Sequence, residues 1–375
     1  MSFKRHYVVA NFTLDSGPSG AWRRTLALLR ELPALLEPGE SVSLLTSTGT
    51  ALPDLPAEVR VYRAGVPTRP AWRRALAEHR RLGTLLDDIA ADVVDLGTLP
   101  VPKGLRCPVV LTIHDARDLV PPFQRRSAWL SRMVLKSALK RASILVVPSA
   151  FTESALRRAA GGLLPQVRVI GGGVDPRLLS CEPRREPGRG YFLHVGHIEA
   201  RKNLLLLLSA LAELMERLGE RSERLPRLVF AGRDQGIAAE LAERAAMLDL
   251  TGHVEFRGSV PEAALAELYA GATAVLMPSL HEGFGLPALE ALAVGVPVAV
   301  SDAGALPEVV GDRGSVLPAD DPGVWADVLE WHVKNPDTLD AIAARKRHAA
   351  QQLWSTRAAQ LLECWRSSLE NTNDG

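Results

Sequence analysis

Two glutamates frame the segment HEGFGLPALE at residues 281–290, Glu282 at its start and Glu290 at its end. Gly283 and Gly285 permit backbone conformations that bring N–H groups close to a ligand. Pro287 suits the first turn of a helix, where its missing N–H costs nothing. A helix start behind such a loop attracts anions, and carboxylates accept paired hydrogen bonds from sugar diols. A capped helix with a solvated Glu would account for Gly-Phe-Gly alone; two glutamates around it point to a bound polar ligand. A second cluster, VGHIEARKN at 195–203, sets Arg201 and Lys202 side by side before a helix. Cations at a helix N-terminus are unfavourable by about 0.3–1 kcal/mol, a conflict that a bound diphosphate removes. A third, TIHD at 112–115, ends a strand on His114. A lone His is more often structural, but its neighbours favour a role in the site. Asp115 either orients it or caps the next turn. SGPSG at 16–20 is a glycine loop ahead of a helix and lacks the dinucleotide-binding G-x-G-x-x-G spacing.

These segments sit where short β-rich runs hand over to amphipathic ones. Strands are predicted at 7–10, 42–46, 59–62, 93–96, 109–113, 144–147 and 167–170, with helices at 21–36, 71–89, 127–140 and 150–160. The run SCEPRREPGRG at 180–190 reads as an exposed linker. Behind it come strands at 191–195, 228–231, 254–257, 274–277 and 298–300, and helices at 204–218, 237–248, 261–270 and 287–294. Helices from 325 onward finish the chain. Strand–helix alternation implies parallel sheets covered on both faces. The expected architecture is α/β, with two Rossmann-like doubly wound domains facing each other across a cleft, at 1–180 and 181–350. A C-terminal helix at 351–375 is expected to pack back on the first domain. Ligands of such sheets bind outside the carboxyl ends of the strands.

The 375 residues include 47% hydrophobic and 23% charged ones, enough for two cores. Three scattered cysteines, Cys107, Cys181 and Cys364, fit reduced thiols. No segment is long and apolar enough to span a bilayer and no signal peptide is evident, so cytoplasmic residence is expected. Residues 1–180 hold 25 Lys/Arg against 15 Asp/Glu, a surplus of +10, although the whole chain is only +1. A basic half suits an anionic partner such as a membrane surface or a lipid diphosphate. Nucleic acid is disfavoured, because the arginine pairs lack interleaved aromatics. No Asp-x-Asp, Walker loop or H-E-x-x-H motif occurs, and no metal or other cofactor is expected.

The Glu–seven residues–Glu signature within HEGFGLPALEALAVGVPVAVSDAGALPEVVG closely resembles family 4 glycosyltransferases of the GT-B fold. The resemblance covers nearly the whole chain. It implies that Glu282 contacts donor-sugar hydroxyls, that Glu290 binds the nucleotide ribose, and that the backbone of Gly283, Phe284, Gly285 and Leu286 holds sugar and diphosphate. Arg201 and Lys202 would contact the phosphates, His114 the reacting centre, and Gly196, Gly232 and Val260 would belong to donor loops. Gly20 would lie near diphosphate or acceptor. The implied catalytic set is His114, Arg201, Lys202 and Glu282. The implied reaction is metal-independent and retaining: a hexose, with mannose from GDP-mannose the first expectation, passes to a glycan or lipid-linked acceptor in surface polysaccharide synthesis at the inner face of a membrane. Ala200, where the family often has Pro, and Ala305 in the SDAGALPE run (301–308) depart from the pattern; Glu308 reads as a helix-start carboxylate. A GT-B epimerase or phosphorylase, or a catalytically silent sugar-nucleotide-binding protein, are the alternatives.

Overall fold

The computed structural model describes residues 5–14, 19–49, 52, 55–119, 128–162, 164–184, 190–219 and 226–373. Ser16, Gly17 and Pro18 of the glycine loop, the pair Arg125 and Arg126, and linker residues 185–189 lie outside them. The chain forms two compact units, one of residues 1–173 with 354–375 and one of residues 174–353.

The first unit runs β1 (Arg5–Ala10), α1 (Gly20–Glu31), β2 (Glu40–Ser47), β3 (Arg60–Ala64), α2 (Ala71–Asp88), β4 (Val93–Leu96), β5 (Val109–Thr112), α3 (Ala128–Leu139), β6 (Ile144–Val147), α4 (Ala150–Ala160) and β7 (Gln166–Val169). Its sheet is parallel, in the order β3-β2-β1-β4-β5-β6-β7. The central strands β4, β5 and β6 are buried throughout, as strands covered on both faces are, and are apolar but for Asp95 and Thr112. The helix predicted at 21–36 ends early, since Pro33 has no N–H to continue it; Leu32–Leu35 form a 3₁₀ turn instead.

The second unit runs α5 (Pro176–Leu179), β8 (Tyr191–Val195), α6 (Leu204–Leu218), β9 (Arg227–Ala231), α7 (Ala238–Met247), β10 (Val254–Gly258), α8 (Glu262–Ala270), β11 (Ala272–Met277), α9 (Leu286–Val294), β12 (Val298–Ser301), α10 (Leu306–Val310), β13 (Ser315–Leu317), α11 (Pro322–Lys334) and α12 (Leu339–Ala350). Its parallel sheet has the order β10-β9-β8-β11-β12-β13. β13 has no counterpart among the predicted strands, since three residues are too few to show a period.

The division between the units falls before the Pro/Gly/Arg run that the sequence suggests. Val174 donates its N–H to the Gln352 carbonyl at 2.8 Å, and Leu178, Leu179 and Cys181 pack on the second unit's core. Lys346 Nζ donates to the Cys181 carbonyl at 2.5 Å, and Arg184 N to the Ala270 carbonyl at 2.7 Å. Residues 174–184 are therefore not linker; burial of Val174 outweighs the polar composition behind it.

The last helix, α13 (Trp354–Asn373), returns to the first unit. Leu361, Leu362, Cys364 and Trp365 are buried with Tyr7, Leu28, Leu29 and Leu32. Trp365 stacks on Tyr7 at 5.4 Å between ring centroids, and its indole N–H donates to Asp95 at 3.1 Å. Replacing Trp365 with Ala should destabilise the first unit by roughly 3–5 kcal/mol, the usual cost of truncating a buried aromatic. Equilibrium denaturation of the variant against the parent reads this directly.

Candidate active site

In both sheets the strand order reverses beside the first strand, between β1 and β4 and between β8 and β11. Such a reversal opens a crevice at the carboxyl ends of the two strands. In the second unit, 196–203 leaves β8 there and 278–285 leaves β11, so residues 80 apart in sequence meet.

They meet through charge. Lys202 Nζ lies 2.5 Å from Glu282 Oε1, and Arg201 Nη1 lies 3.1 Å from Glu282 Oε2. Arg201 Nη2 also pairs with Glu199 at 2.8 Å, and Nη1 donates to the His281 carbonyl at 2.7 Å. Ser279 Oγ donates to Glu282 Oε1 at 2.8 Å. The Lys202 and Glu282 side chains are 7% and 10% exposed, so these charges persist only as a paired set. Burial alone would raise the Glu282 pKa; Lys202 first and Arg201 next outweigh it and hold the carboxyl down to about 2. The helix-start cations that sequence reasoning assigned to a diphosphate thus already have carboxylate partners. Two cations face two anions, and the set carries no net charge.

Backbone packing holds the two loops in register. Leu280 N donates to the Arg201 carbonyl at 2.9 Å, and Ala305 N to the Glu282 carbonyl at 3.0 Å. Gly304 has a φ of +70°, and a Cβ there would stand 2.6 Å from Glu282 N. A Cβ on Gly232 would stand 1.7 Å from the Gly196 carbonyl oxygen, so the loops after β8 and β9 approach backbone to backbone. Gly285, with φ +112°, starts α9, and no side chain caps it. Every residue of α9 except Pro287 is buried, as suits a helix whose one polar residue is Glu290. Glu290 is buried on α9 and accepts from the Tyr269 hydroxyl at 2.8 Å. Val260 and Phe284 are half-buried against one core cluster, which also takes in Leu286's neighbours Ala288 and Leu289.

His114 and Gly20 belong to the first unit. Gly20 is exposed and opens α1, whose cap is Ser19: its side chain accepts from Trp22 N at 3.2 Å. His114 follows β5 and is half-buried. Burial and then the Arg24 guanidinium push its pKa down to about 3, so it is a neutral imidazole at physiological pH. Asp115 Oδ1 accepts from Arg117 N at 2.8 Å, the turn-capping role of the two considered. His114 lines a cavity of about 20 Å³ with Asn11, Arg24, Asp95, Gly97 and Thr112, space for one water-sized group. Asp95 accepts from Thr112 at 2.8 Å and from Trp365 at 3.1 Å, while Arg24 donates to the Ile170 carbonyl at 3.0 Å.

Sequence reasoning missed this buried polar set, since Arg24 reads as half of an exposed arginine pair and Trp365 lies 270 residues from Asp95. It also missed His194. That side chain is fully buried on β8 and pairs through Nδ1 with the Leu276 carbonyl at 3.0 Å. A carbonyl only accepts, so Nδ1 carries the proton. Burial, then Lys202, lower its pKa to about 4. A histidine inside the apolar run YFLHV was the available signal. Among the described residues, no group of three or more His, Cys, Asp or Glu is placed to hold a metal ion.

Two family models match the chain, "Glycosyl transferases group 1" over residues 182–349 and "Glycosyltransferase Family 4" over 18–178. The chain is 35% identical over 182 residues to the O-antigen chain mannosyltransferase B of Escherichia coli, covering 48% of this chain and 46% of that one. It is 32% identical over 225 residues to a D-inositol 3-phosphate glycosyltransferase of Thermobispora bispora, covering 56% and 52%. The matches thus span about half the length of these relatives. Among solved structures it resembles a sucrose-phosphate synthase from Thermosynechococcus elongatus, with TM-score 0.80, 20% identity and coverage of 97% and 98%. It also resembles WaaG, a glycosyltransferase involved in lipopolysaccharide biosynthesis, with TM-score 0.76, 17% identity and coverage of 96% and 99%. These structures are GT-B glycosyltransferases, and the likeness shows that fold.

The buried carboxylate has a measurable consequence. A folded-state pKa depressed from 4.5 to about 2 at Glu282 stabilises the fold by on the order of 3 kcal/mol above pH 4.5. That contribution is lost as pH falls from 4.5 towards 2. Glu282→Gln should remove it and strand Lys202 without its carboxylate, lowering stability at pH 7 by about 3–5 kcal/mol. Urea denaturation at pH 7 and pH 3.5 checks both effects: the gap between parent and variant should narrow at the lower pH.

Proposed function

This chain belongs to family 4 of the glycosyltransferases, and on that premise we propose that it is a metal-independent, retaining transferase. It moves a hexose from a nucleotide diphosphate sugar to a glycan or lipid-linked acceptor. The observation that carries this reading is the buried Arg201–Lys202–Glu282 set at the switch point of the second sheet, beside a helix start that no side chain caps.

In the proposed reaction, the bond from the anomeric carbon to the β-phosphate oxygen breaks as the acceptor oxygen attacks from the same face. The acceptor proton passes to the departing phosphate. Charge grows on the β-phosphate, where Arg201 and Lys202 stabilise it from positions already set by Glu282, Glu199 and Ser279. Groups aligned beforehand need no reorganisation during reaction, which is where electrostatic catalysis gains most. Because the set is neutral as a whole, donor attraction must also come from backbone N–H groups of 283–286 at the start of α9. Pro287 contributes none. Glu282 then serves twice, aligning the cations and accepting from a sugar hydroxyl, while Glu290 takes the ribose. His114, neutral, exchanges hydrogen bonds with the reacting sugar without adding charge.

Mannose from GDP-mannose is the proposed donor, supported by the O-antigen mannosyltransferase among the relatives. The +10 surplus of residues 1–180 supports an acceptor carried on an anionic membrane and used in surface polysaccharide synthesis.

A panel of GDP- and UDP-sugars, followed by nucleotide release with and without glycan or lipid-linked acceptor, tests the reading. Acceptor-dependent release is the expected result; donors that bind but never release nucleotide would leave only a binding protein. Lys202→Met should lower kcat by about 10²–10³, the usual cost of one aligned donor. With His114 neutral above about pH 3, the rate should show no titration step near pH 6.5.

A further inference from the structure

The outward face of α3 is unlike that of a helix facing only water. Its inward face supplies Leu135, Ala138 and Leu139 to the core. On the other side Trp129 is 65% exposed, Leu130 49% and Met133 58%. At 100° per residue, Trp129, Met133, Lys136 and Lys140 fall on one stripe, with Leu130 and Arg132 at its flanks. Arg132, Lys136 and Lys140 are all exposed. The stripe is apolar at one end and cationic at the other, and about 16 Å long.

Charge identifies what it meets. No Asp or Glu occurs between Asp118 and Glu153, and this stretch holds six Lys and Arg. An acidic protein partner would satisfy the lysines but not the exposed Trp, Leu and Met. An anionic lipid surface satisfies both. Tryptophan seats its amphipathic ring at headgroup level, apolar side chains enter the acyl boundary, and lysines reach lipid phosphates. A second exposed tryptophan of this unit, Trp72, instead carries the Arg73 guanidinium 5.2 Å from its ring centroid.

We propose that the α3 stripe of Trp129, Leu130, Met133, Arg132 and Lys136, with Lys140 in the turn just beyond the helix, docks this protein on an anionic bilayer. The helix lies in the plane of the interface. This inference deepens, and rests on, the reading of the acceptor as lipid-linked; it names the surface that reaches it.

The test is co-sedimentation of the full chain with phosphatidylglycerol/phosphatidylcholine vesicles and with pure phosphatidylcholine vesicles, at low and high salt. Binding should require the anionic lipid and weaken with salt. Lys136→Gln with Lys140→Gln should weaken partitioning by roughly tenfold or more, since each cation near an anionic surface contributes about a factor of five. Trp129→Ser with Met133→Ser should abolish the salt-resistant fraction and the blue shift of tryptophan emission on binding. All these positions are exposed, so unchanged thermal melts verify folding. Nucleotide release from donor in vesicle-free solution, unchanged in both variants, separates the two readings. A parent that releases nucleotide but binds no vesicles overturns the docking surface alone; a parent that binds vesicles but releases no nucleotide overturns the transferase reading alone. Equal binding to neutral vesicles, or parent-like binding by either variant, overturns the proposal. So does self-association that the variants abolish when the parent binds no vesicles.

Discussion

A buried lysine cannot keep its charge without a buried partner, and Lys202 meets that requirement through Glu282. The rest of the second unit's site follows from this pair. Loops 80 residues apart must close on each other, so the strands they leave, β8 and β11, must be neighbours. Gly304 must lack a side chain for the Glu282 backbone to pass, and Ser279 must supply a hydroxyl to the remaining lone pair. A pair of this kind adds little net stability compared with a well-packed apolar substitute, but breaking it is costly. Its value is that it fixes where a cation points before any substrate arrives.

The two units arrange the same topology around different chemistry. Both sheets reverse order beside their first strand. At the second reversal the site is ionic and self-neutralised. At the first, beside β1, β4 and β5, it is a buried polar set with a neutral imidazole. Arg24 and Asp95 line one small cavity with His114, and Asp95 is tied to Trp365 of α13. The C-terminal helix is therefore more than an apolar cover for the sheet. Its indole N–H occupies a lone pair of a carboxylate that lines the same cavity as His114.

Local pattern made much of this legible. β4, β6 and β8, and helices α4 and α6, have the bounds that apolar runs and flanking glycines indicate. Arg201, Lys202 and Glu282 stood out because charge at a helix start and glutamates about a Gly-Pro turn conflict with ordinary propensity. Boundaries set by packing were not legible. The Pro33 break shortened α1, and Val174, an apolar residue in a polar neighbourhood, moved the division between the units.

By itself, the sequence determined the alternation of strands and helices, the repeated doubly wound architecture and the identity of the charged groups, because these depend on residues near one another in the chain. Tertiary structure alone decided whom those groups face. Lys202 and Arg201 meet Glu282, Glu290 meets Tyr269, Asp95 meets Trp365, and His114 stays neutral beside Arg24. Desolvation and long-range pairing set these outcomes, and both depend on which surfaces the folded chain removes from water.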